Sequence, residues 1–379
     1  MSTVKKVFGN RSNLTLHIDE DHRISLKRSV EEPANLLVAK KSKSEAGRKK
    51  KADLENQGHV TQSIVKKVKS ISICEKLVEK QPVKLDVKLD FNDPKSCYTK
   101  PTDLPDDLED YDLKQVHDSY AEPHYVMDIF KYYQTKELQS LTKKYLNNQS
   151  EITENMRAIL VDWLVEIQQN YTLNHETLYL AVKMVDQYLM RQNIKKTDFQ
   201  LLGATAMLIA AKYDERIPPA IEDFVYSCDN QYKKKDIILM EMEILKKLDF
   251  NIGFPLSYRF LRRYARCAEL TMEELTLARF ILEMSLMEYD LIEERESSIA
   301  AASLLLALRM KHFPSKDVWT KTLVYYSGYT EQQVLPLMFK LNKIISAPPK
   351  QALSSIRAKY SHRVFMEVAK INPLPSEAS

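Results

Sequence analysis

Glycine is almost absent from this chain. The 379 residues include six, and beyond residue 60 only Gly203, Gly253 and Gly328 remain. Left-handed turn positions favour Gly or Asn, so a many-stranded β domain with tight hairpins is disfavoured. Neither GxGxxG nor GxxxxGK[ST] occurs, so no loop is built to lay backbone amides on a phosphate. A helical protein without a nucleotide site of its own is what remains, and the length suits two domains.

Charge is segregated along the chain. Residues 1–100 hold 22 Lys+Arg and 13 Asp+Glu, a balance of +9, and the rest hold 34 and 39, a balance of −5. A nucleic-acid-binding core would carry the basic footprint itself, and here it lies outside the folded part. Cys74, Cys97, Cys228 and Cys267 are scattered, with no CxxC and no Cys/His cluster, so no zinc site, disulfide framework or cofactor is expected. The longest uncharged apolar runs, Leu201–Ala211 and Ile299–Leu308, are too short to cross a membrane. The first ten residues lack a signal-peptide core, so an intracellular protein in a reducing compartment is expected.

Residues 1–110 read as a disordered tail, because apolar residues come singly and without period. It closes on the acidic segment Thr102–Asp112, read as a linker. Helical signals follow. Pro123 suits a first turn, and Tyr125, Ile129, Tyr132 and Tyr133 then share one face. Thr197 with Gln200, Thr271 with Glu274, and Thr330 with Gln333 fit capping boxes. Pro218-Pro219 stop the helix that starts near Thr197. The segment Gly203–Ala210 can be laid on Ala300–Ala307, 97 residues on, small residues first and large ones after. Helices apolar nearly all round must be buried, which predicts one central helix in each of two similar domains. The organisation expected is a tail (1–110), an N-terminal helix region (111–150), two all-α domains (151–253 and 254–350) and a C-terminal extension (351–379).

One further helix is nearly apolar around its circumference. Across Asn155–Ile167, Met156, Leu160, Trp163 and Ile167 fall within about 60° of one another, with Ile159 beside them. Only Arg157, Asp162 and Glu166 interrupt. The pattern fits a fully buried helix. Periodicity alone favours that reading; the sharper one is a helix with one face in its core and the other in a docking groove for a partner peptide.

Met156–Glu166, MRAILVDWLVE, resembles the opening helix of the cyclin box in A- and B-type cyclins almost letter for letter. The resemblance continues through Gln200–Gly203, Ala210–Pro219, Leu239–Leu245 and Ser354–Tyr360, and covers about Tyr125 to Pro375. Asn174–Leu180 and Phe260–Cys267 look most like the B3 subtype. The resemblance implies two tandem five-helix cyclin folds after an N-terminal helix, and a regulatory subunit of a mitotic cyclin-dependent kinase rather than an enzyme. Catalysis then stays in the partner.

By that resemblance, Lys212 and Glu241 are the charged pair that hydrogen-bonds the kinase backbone. Ile209, Tyr213, Leu245, Phe250 and Ile252 match the apolar surface that receives the kinase αC helix, and Tyr125 and Ile129 match contacts from the preceding helix. Met156, Ile159, Leu160, Trp163, Glu166 and Gln200 match the groove for Arg-x-Leu peptides of substrates and inhibitors, and Phe199 stands there where Leu is usual. Arg11 and Leu14 match the destruction box read by the anaphase-promoting ubiquitin ligase; Arg23–Leu26 is a second RxxL. Lys40, Lys41, Arg48, Lys49, Lys50 and Lys51 resemble a nuclear import signal. The partners implied are the kinase, through it a small kinase-associated regulatory subunit, Arg-x-Leu proteins and the ligase, with neither nucleic acid nor membrane bound directly. The resemblance further implies a role in cell division, whether in mitosis, in meiosis or in both. Two rival readings of the fold are a nucleic-acid-associated transcription factor and an inert scaffold; the −5 balance and the Lys212/Glu241 match weigh against the first.

Overall fold

The computed structural model describes residues 98–375 apart from Ser119 and Lys316, together with a two-residue antiparallel pairing of His17–Ile18 with Ile24–Ser25. Two short helices come first, α1 (Tyr111–Lys114) and α2 (Val126–Glu137). Five follow as one group: α3 (Glu154–Asn170), α4 (His175–Leu189), α5 (Phe199–Asp214), α6 (Ile221–Ser227) and α7 (Lys234–Lys247). Five more repeat the layout: α8 (Ser257–Cys267), α9 (Met272–Leu286), α10 (Glu296–His312), α11 (Lys321–Ser327) and α12 (Glu331–Ser346). A last helix, α13 (Ser355–Tyr360), lies in the C-terminal extension.

The two helices that lack a polar face are the cores of their groups. α5 is buried from Phe199 to Ala211 and packs against α3, α4, α6 and α7. α10 is buried at nearly every position from Ile299 to Met310 and packs against α8, α9 and α12. Their starts, 199 and 296, stand 97 residues apart, the offset of the sequence repeat. The small residues have a visible task at Gly203, where an added Cβ would lie 2.6 Å from Leu160 Cδ1. Leu160 is fully buried and has little room to yield, so the α3–α5 spacing depends on the missing side chain.

Caps explain several boundaries. Thr153 Oγ1 accepts from the Met156 amide at 3.3 Å and starts α3. The boxes at Thr271/Glu274 and Thr330/Gln333 form, with Glu274 and Gln333 accepting from the cap amides at 2.8 Å. The expected box at Thr197/Gln200 does not. A 3₁₀ turn over Lys196–Asp198 comes first, Thr197 Oγ1 donates to Asp198 instead, and Gln200 is buried inside α5. Pro123 also lies ahead of its helix, which begins at Val126 after a left-handed residue at Glu122.

Left-handed turns are present despite the missing glycines. Thr172, Asp229, Asn230, Asp249, Phe250 and Glu269 all have positive φ just past helix ends, whereas of the three glycines among the described residues only Gly328 does. Amides reach back five residues to close these helices, as in Leu173 to the Gln168 carbonyl and Phe250 to that of Leu245.

The acidic segment read as a linker is packed. Leu104, Asp110 and Asp112 are buried. Tyr98 Oη donates to Asp110 at 2.8 Å, Tyr325 Oη to Asp103 at 3.1 Å, and Lys321 pairs with Asp107. Its carboxylates meet a phenolic partner at Tyr98 and basic and phenolic partners on α11, so order begins upstream of residue 111.

Candidate functional site

The Lys212/Glu241 pair is formed. Lys212 lies in the last turn of the central helix α5 and Glu241 mid-α7, with Nζ to Oε1 at 2.6 Å. The lysine completes the last turn of α5, where a cation complements the helix dipole. Its side chain stays 43% exposed and that of Glu241 17%, so the pair faces outward from a packed base.

Apolar side chains stand next to it along α5 and α7: Tyr213 follows Lys212 in the chain, and Leu245 lies one turn beyond Glu241. Tyr213 and Phe250 are exposed, and Leu245 and Ile252 half-buried. On α2, Tyr125, Ile129 and Tyr132 are exposed at i, i+4 and i+7, forming one stripe. The stripe ends at Lys136, whose ammonium sits 5.5 Å from the Tyr132 ring centre. A Cβ at Gly253 would lie 3.5 Å from that Lys136 Nζ and 3.3 Å from Tyr213 Oη, so α2, α5 and the joint between the two helix groups converge there. Ile209 does not line this surface; it is buried in the α5 core, because the position one turn before Tyr213 faces inward.

Exposed apolar side chains not singled out by the resemblance lie on α7 and just past α5. Ile217, Ile238, Leu239 and Met242 are also exposed large apolar residues. The signal was present in α7: Ile238, Leu239 and Met242 recur at helical spacing beside a second apolar set, Ile237, Met240 and Ile244, which is buried.

Phe250 is held out by its backbone. Asp249 and Phe250 have φ of +51° and +57°, a conformation that costs an L-residue about 1–2 kcal/mol. It aims a 67% exposed ring away from the core. Strain of this kind persists at functional positions.

The second expected site is only partly at the surface. Ile159, Trp163 and Glu166 are half-buried along one edge of α3, at i, i+4 and i+7. Met156, one turn before Ile159, is 9% exposed. Leu160, Phe199 and Gln200 are buried: Leu160 is the knob over Gly203, and the other two point into the α5 core. The patch is therefore a narrow strip, to which Phe199 presents no exposed surface. Glu166 is engaged from the C-terminal extension. Ser355 Oγ lies 2.9 Å from Glu166 and 2.8 Å from Asp162, and the Ser355 amide donates to Asp162 at 3.0 Å. One hydroxyl proton serves two carboxylates, and burial raises the Asp162 carboxyl above its ordinary value.

The tail assignments at Arg11, Leu14, Lys40, Lys41, Arg48, Lys49, Lys50 and Lys51 lie outside the described residues. Among the described residues no cluster of metal-binding side chains occurs, and no helix is long and apolar enough to cross a membrane.

The sequence matches the cyclin N-terminal domain over residues 128–253 and the cyclin C-terminal domain over residues 255–374. The G2/mitotic-specific cyclin-B3 of Gallus gallus is 52% identical over 267 residues, 70% of this chain and 66% of that protein. The protein of the same name from Drosophila melanogaster is 46% identical over 302 residues, 79% of this chain and 52% of its own length. The Homo sapiens one is 50% identical over 252 residues, 66% of this chain and 18% of its own length. The matched segment thus spans between 18% and 66% of these relatives. A viral cyclin from herpesvirus saimiri superposes with a TM-score of 0.52 at 19% identity, over 61% of this chain and 99% of that one, a likeness of fold.

The joint makes a separable prediction. Phe250→Gly should leave stability unchanged or raise it by about 0.5–1 kcal/mol, since the relief of left-handed strain exceeds the small packing lost and the added chain entropy. Urea unfolding checks this, and a loss above about 1 kcal/mol would show that the ring holds the joint together.

Proposed function

The chain belongs to the cyclin family, and from that premise we propose that it binds and activates a mitotic cyclin-dependent kinase as its regulatory subunit. The observation that carries the reading is the Lys212–Glu241 pair set among uncovered apolar side chains. An ion pair this exposed contributes roughly 0–1 kcal/mol to a fold, so stability does not account for it. Covered by a partner helix, the same groups make charge-assisted hydrogen bonds to backbone at about 1.5–3 kcal/mol each. The ring around them adds about 1.5–3 kcal/mol for each large side chain fully buried. Polar groups inside a dry apolar rim are the arrangement of binding hot spots. The chain supplies no catalytic residues; it positions the αC helix and activation loop of a kinase whose Lys–Glu pair and Mg²⁺-binding Asp do the chemistry.

Around this activity we place the finer roles. The Ile159–Trp163–Glu166 strip recruits substrates and inhibitors carrying Arg-x-Leu, with Glu166 pairing the peptide arginine once Ser355 releases it. A single buried leucine supports only weak docking on its own. The chain acts in G2/M and mitotic progression including anaphase, works in the nucleus through the Lys40–Lys51 basic clusters, and is removed by the anaphase-promoting ubiquitin ligase through Arg11–Leu14. A small regulatory subunit joins through the kinase.

Lys212→Ala with Glu241→Ala should weaken kinase binding at least tenfold and abolish activation, with the thermal midpoint within a few degrees of the parent. Co-purification at parental levels, or a complex no more active than the free kinase before mutation, sinks the activator reading. Met156→Ala with Trp163→Ala should slow phosphorylation of Arg-x-Leu substrates about tenfold more than that of short peptides without the motif. Equal slowing of both would assign Trp163 to the core alone. A chain lacking residues 1–30 should persist through anaphase in dividing cells; turnover at the normal time would place the degron elsewhere.

A further inference from the structure

The packed acidic strap upstream of α2 carries an inference beyond the kinase contacts themselves. Asp112 on α1 and Arg263 on α8 are 151 residues apart and form a bidentate pair, at 2.5 and 2.6 Å. Both side chains are buried, at 3% and 6% exposure. Arg263 is also enclosed by rings: its guanidinium carbon lies 4.9 Å from the Tyr326 ring centre and 5.6 Å from that of Phe130. A second contact runs from Nη2 to Met127 Sδ, at 3.3 Å. Met127 and Phe130 belong to α2, on the face opposite Tyr125 and Ile129.

The strap is built to hold Asp112 in place. Asp110 Oδ1 accepts from the Asp112 and Leu113 amides at 3.0 and 3.2 Å and fixes the start of α1. Tyr98 holds Asp110 in turn, and the Tyr111 amide donates to Tyr326 Oη at 3.0 Å. Farther along α2, Lys131 reaches Asp103 on the strap at 3.5 Å. The C-terminal end of α2 is pinned separately, where buried Glu137 accepts from the Ser297 amide at 3.0 Å and its hydroxyl at 2.6 Å.

We propose that the Asp112–Arg263 clamp is a positioning device for kinase binding: it fixes the N-terminal half of α2 so that Tyr125 and Ile129 stand in register with the Lys212–Glu241 surface. A buried ion pair is seldom more stabilising than apolar side chains of the same size, so its contribution here is geometric. A bidentate fork between two rings permits one placement of α2 where an apolar contact would permit several. The inference rests on the reading of α2 as kinase-facing, and the experiment separates the two.

The full chain is titrated with a purified mitotic cyclin-dependent kinase, and thermal unfolding is followed in parallel. Asp112→Asn keeps the shape and loses the charge. We expect the dissociation constant to rise about tenfold while the chain stays folded. Tyr125→Ala with Ile129→Ala, costly in the parent, should add little in the Asp112→Asn background, because those contacts are already out of register. If Asp112→Asn fails to fold, Asp112→Leu with Arg263→Met removes both charges together and should give the same weakening and the same loss of additivity. A lower melting temperature with unchanged kinase affinity, or fully additive effects, overturns the clamp and leaves a purely structural pair. If Tyr125→Ala with Ile129→Ala has no effect in the parent, α2 does not face the kinase, and the inference falls with that premise.

Discussion

The arrangement of the two helix groups depends on charges that have been taken out of water. Arg157, on the otherwise apolar helix α3, is 2% exposed and donates from Nε and Nη2 to Asp186 on α4, each at 2.7 Å. Its remaining donor reaches the Leu286 carbonyl at 2.8 Å, at the C-terminal end of α9 in the second group. There a cation meets both an unpaired carbonyl and the negative end of a helix. Glu283, one turn earlier on α9, accepts from Lys359 at 2.8 Å and Tyr360 at 2.6 Å, both from α13, and meets His175 from α4 at 3.0 Å. Burial alone would raise the Glu283 carboxyl; Lys359 and His175 overcome that and hold it well below the carboxylate range. Burial also lowers His175, against the pull of Glu283 and helped by Lys359. Each buried charge would cost several kcal/mol unpaired, so alternative placements of the groups are excluded far more strongly than the native one is stabilised.

The same economy governs the turns. With few glycines, the chain ends its helices on side chains that tolerate left-handed backbone poorly, at Thr172, Glu269 and above all Phe250. Scarce glycine therefore does not mean scarce left-handed turns, because a helical fold needs them at its C-termini as much as a sheet needs them in its hairpins. Three of these positions are Asp or Asn, which accept the conformation most readily after glycine. At Phe250 no such ease exists. An aromatic ring kept outside the core by a strained backbone fits a contact surface better than a packing role.

The sequence carried the cores plainly and the periphery poorly. Helices α5 and α10 were readable because nothing polar interrupts them, and burial is then the only option. The three breaks in α3 were readable as exceptions but not as partners: Arg157, Asp162 and Glu166 pair with Asp186, Ser355 and the Leu286 carbonyl, 29 to 193 residues away or with no side-chain signal at all. Circumference likewise could not divide α3 between core and groove. Leu160 and Trp163 share a face, yet Gly203 draws the first fully inward and leaves the second at the edge. The strap is opaque in the sequence for the same reason. Acidic residues punctuated by proline look like a linker until Arg263, Lys321 and Tyr325 are seen beneath them.

These distant pairings bear on how such a surface works. Its parts come from α2, α5, α7 and the joint, and each is fixed by a different device: the Asp112 clamp and Glu137 for α2, the central packing for α5 and α7, the left-handed turn for Phe250. A partner helix docking there would find most of the ordering already done, and ordering each loose side chain otherwise removes about 0.5–1.5 kcal/mol from affinity. A chain that reshapes its partner must itself resist being reshaped, since strain between two bodies is released in the softer one. The buried charges, which stabilise the fold little and restrict it greatly, supply that stiffness.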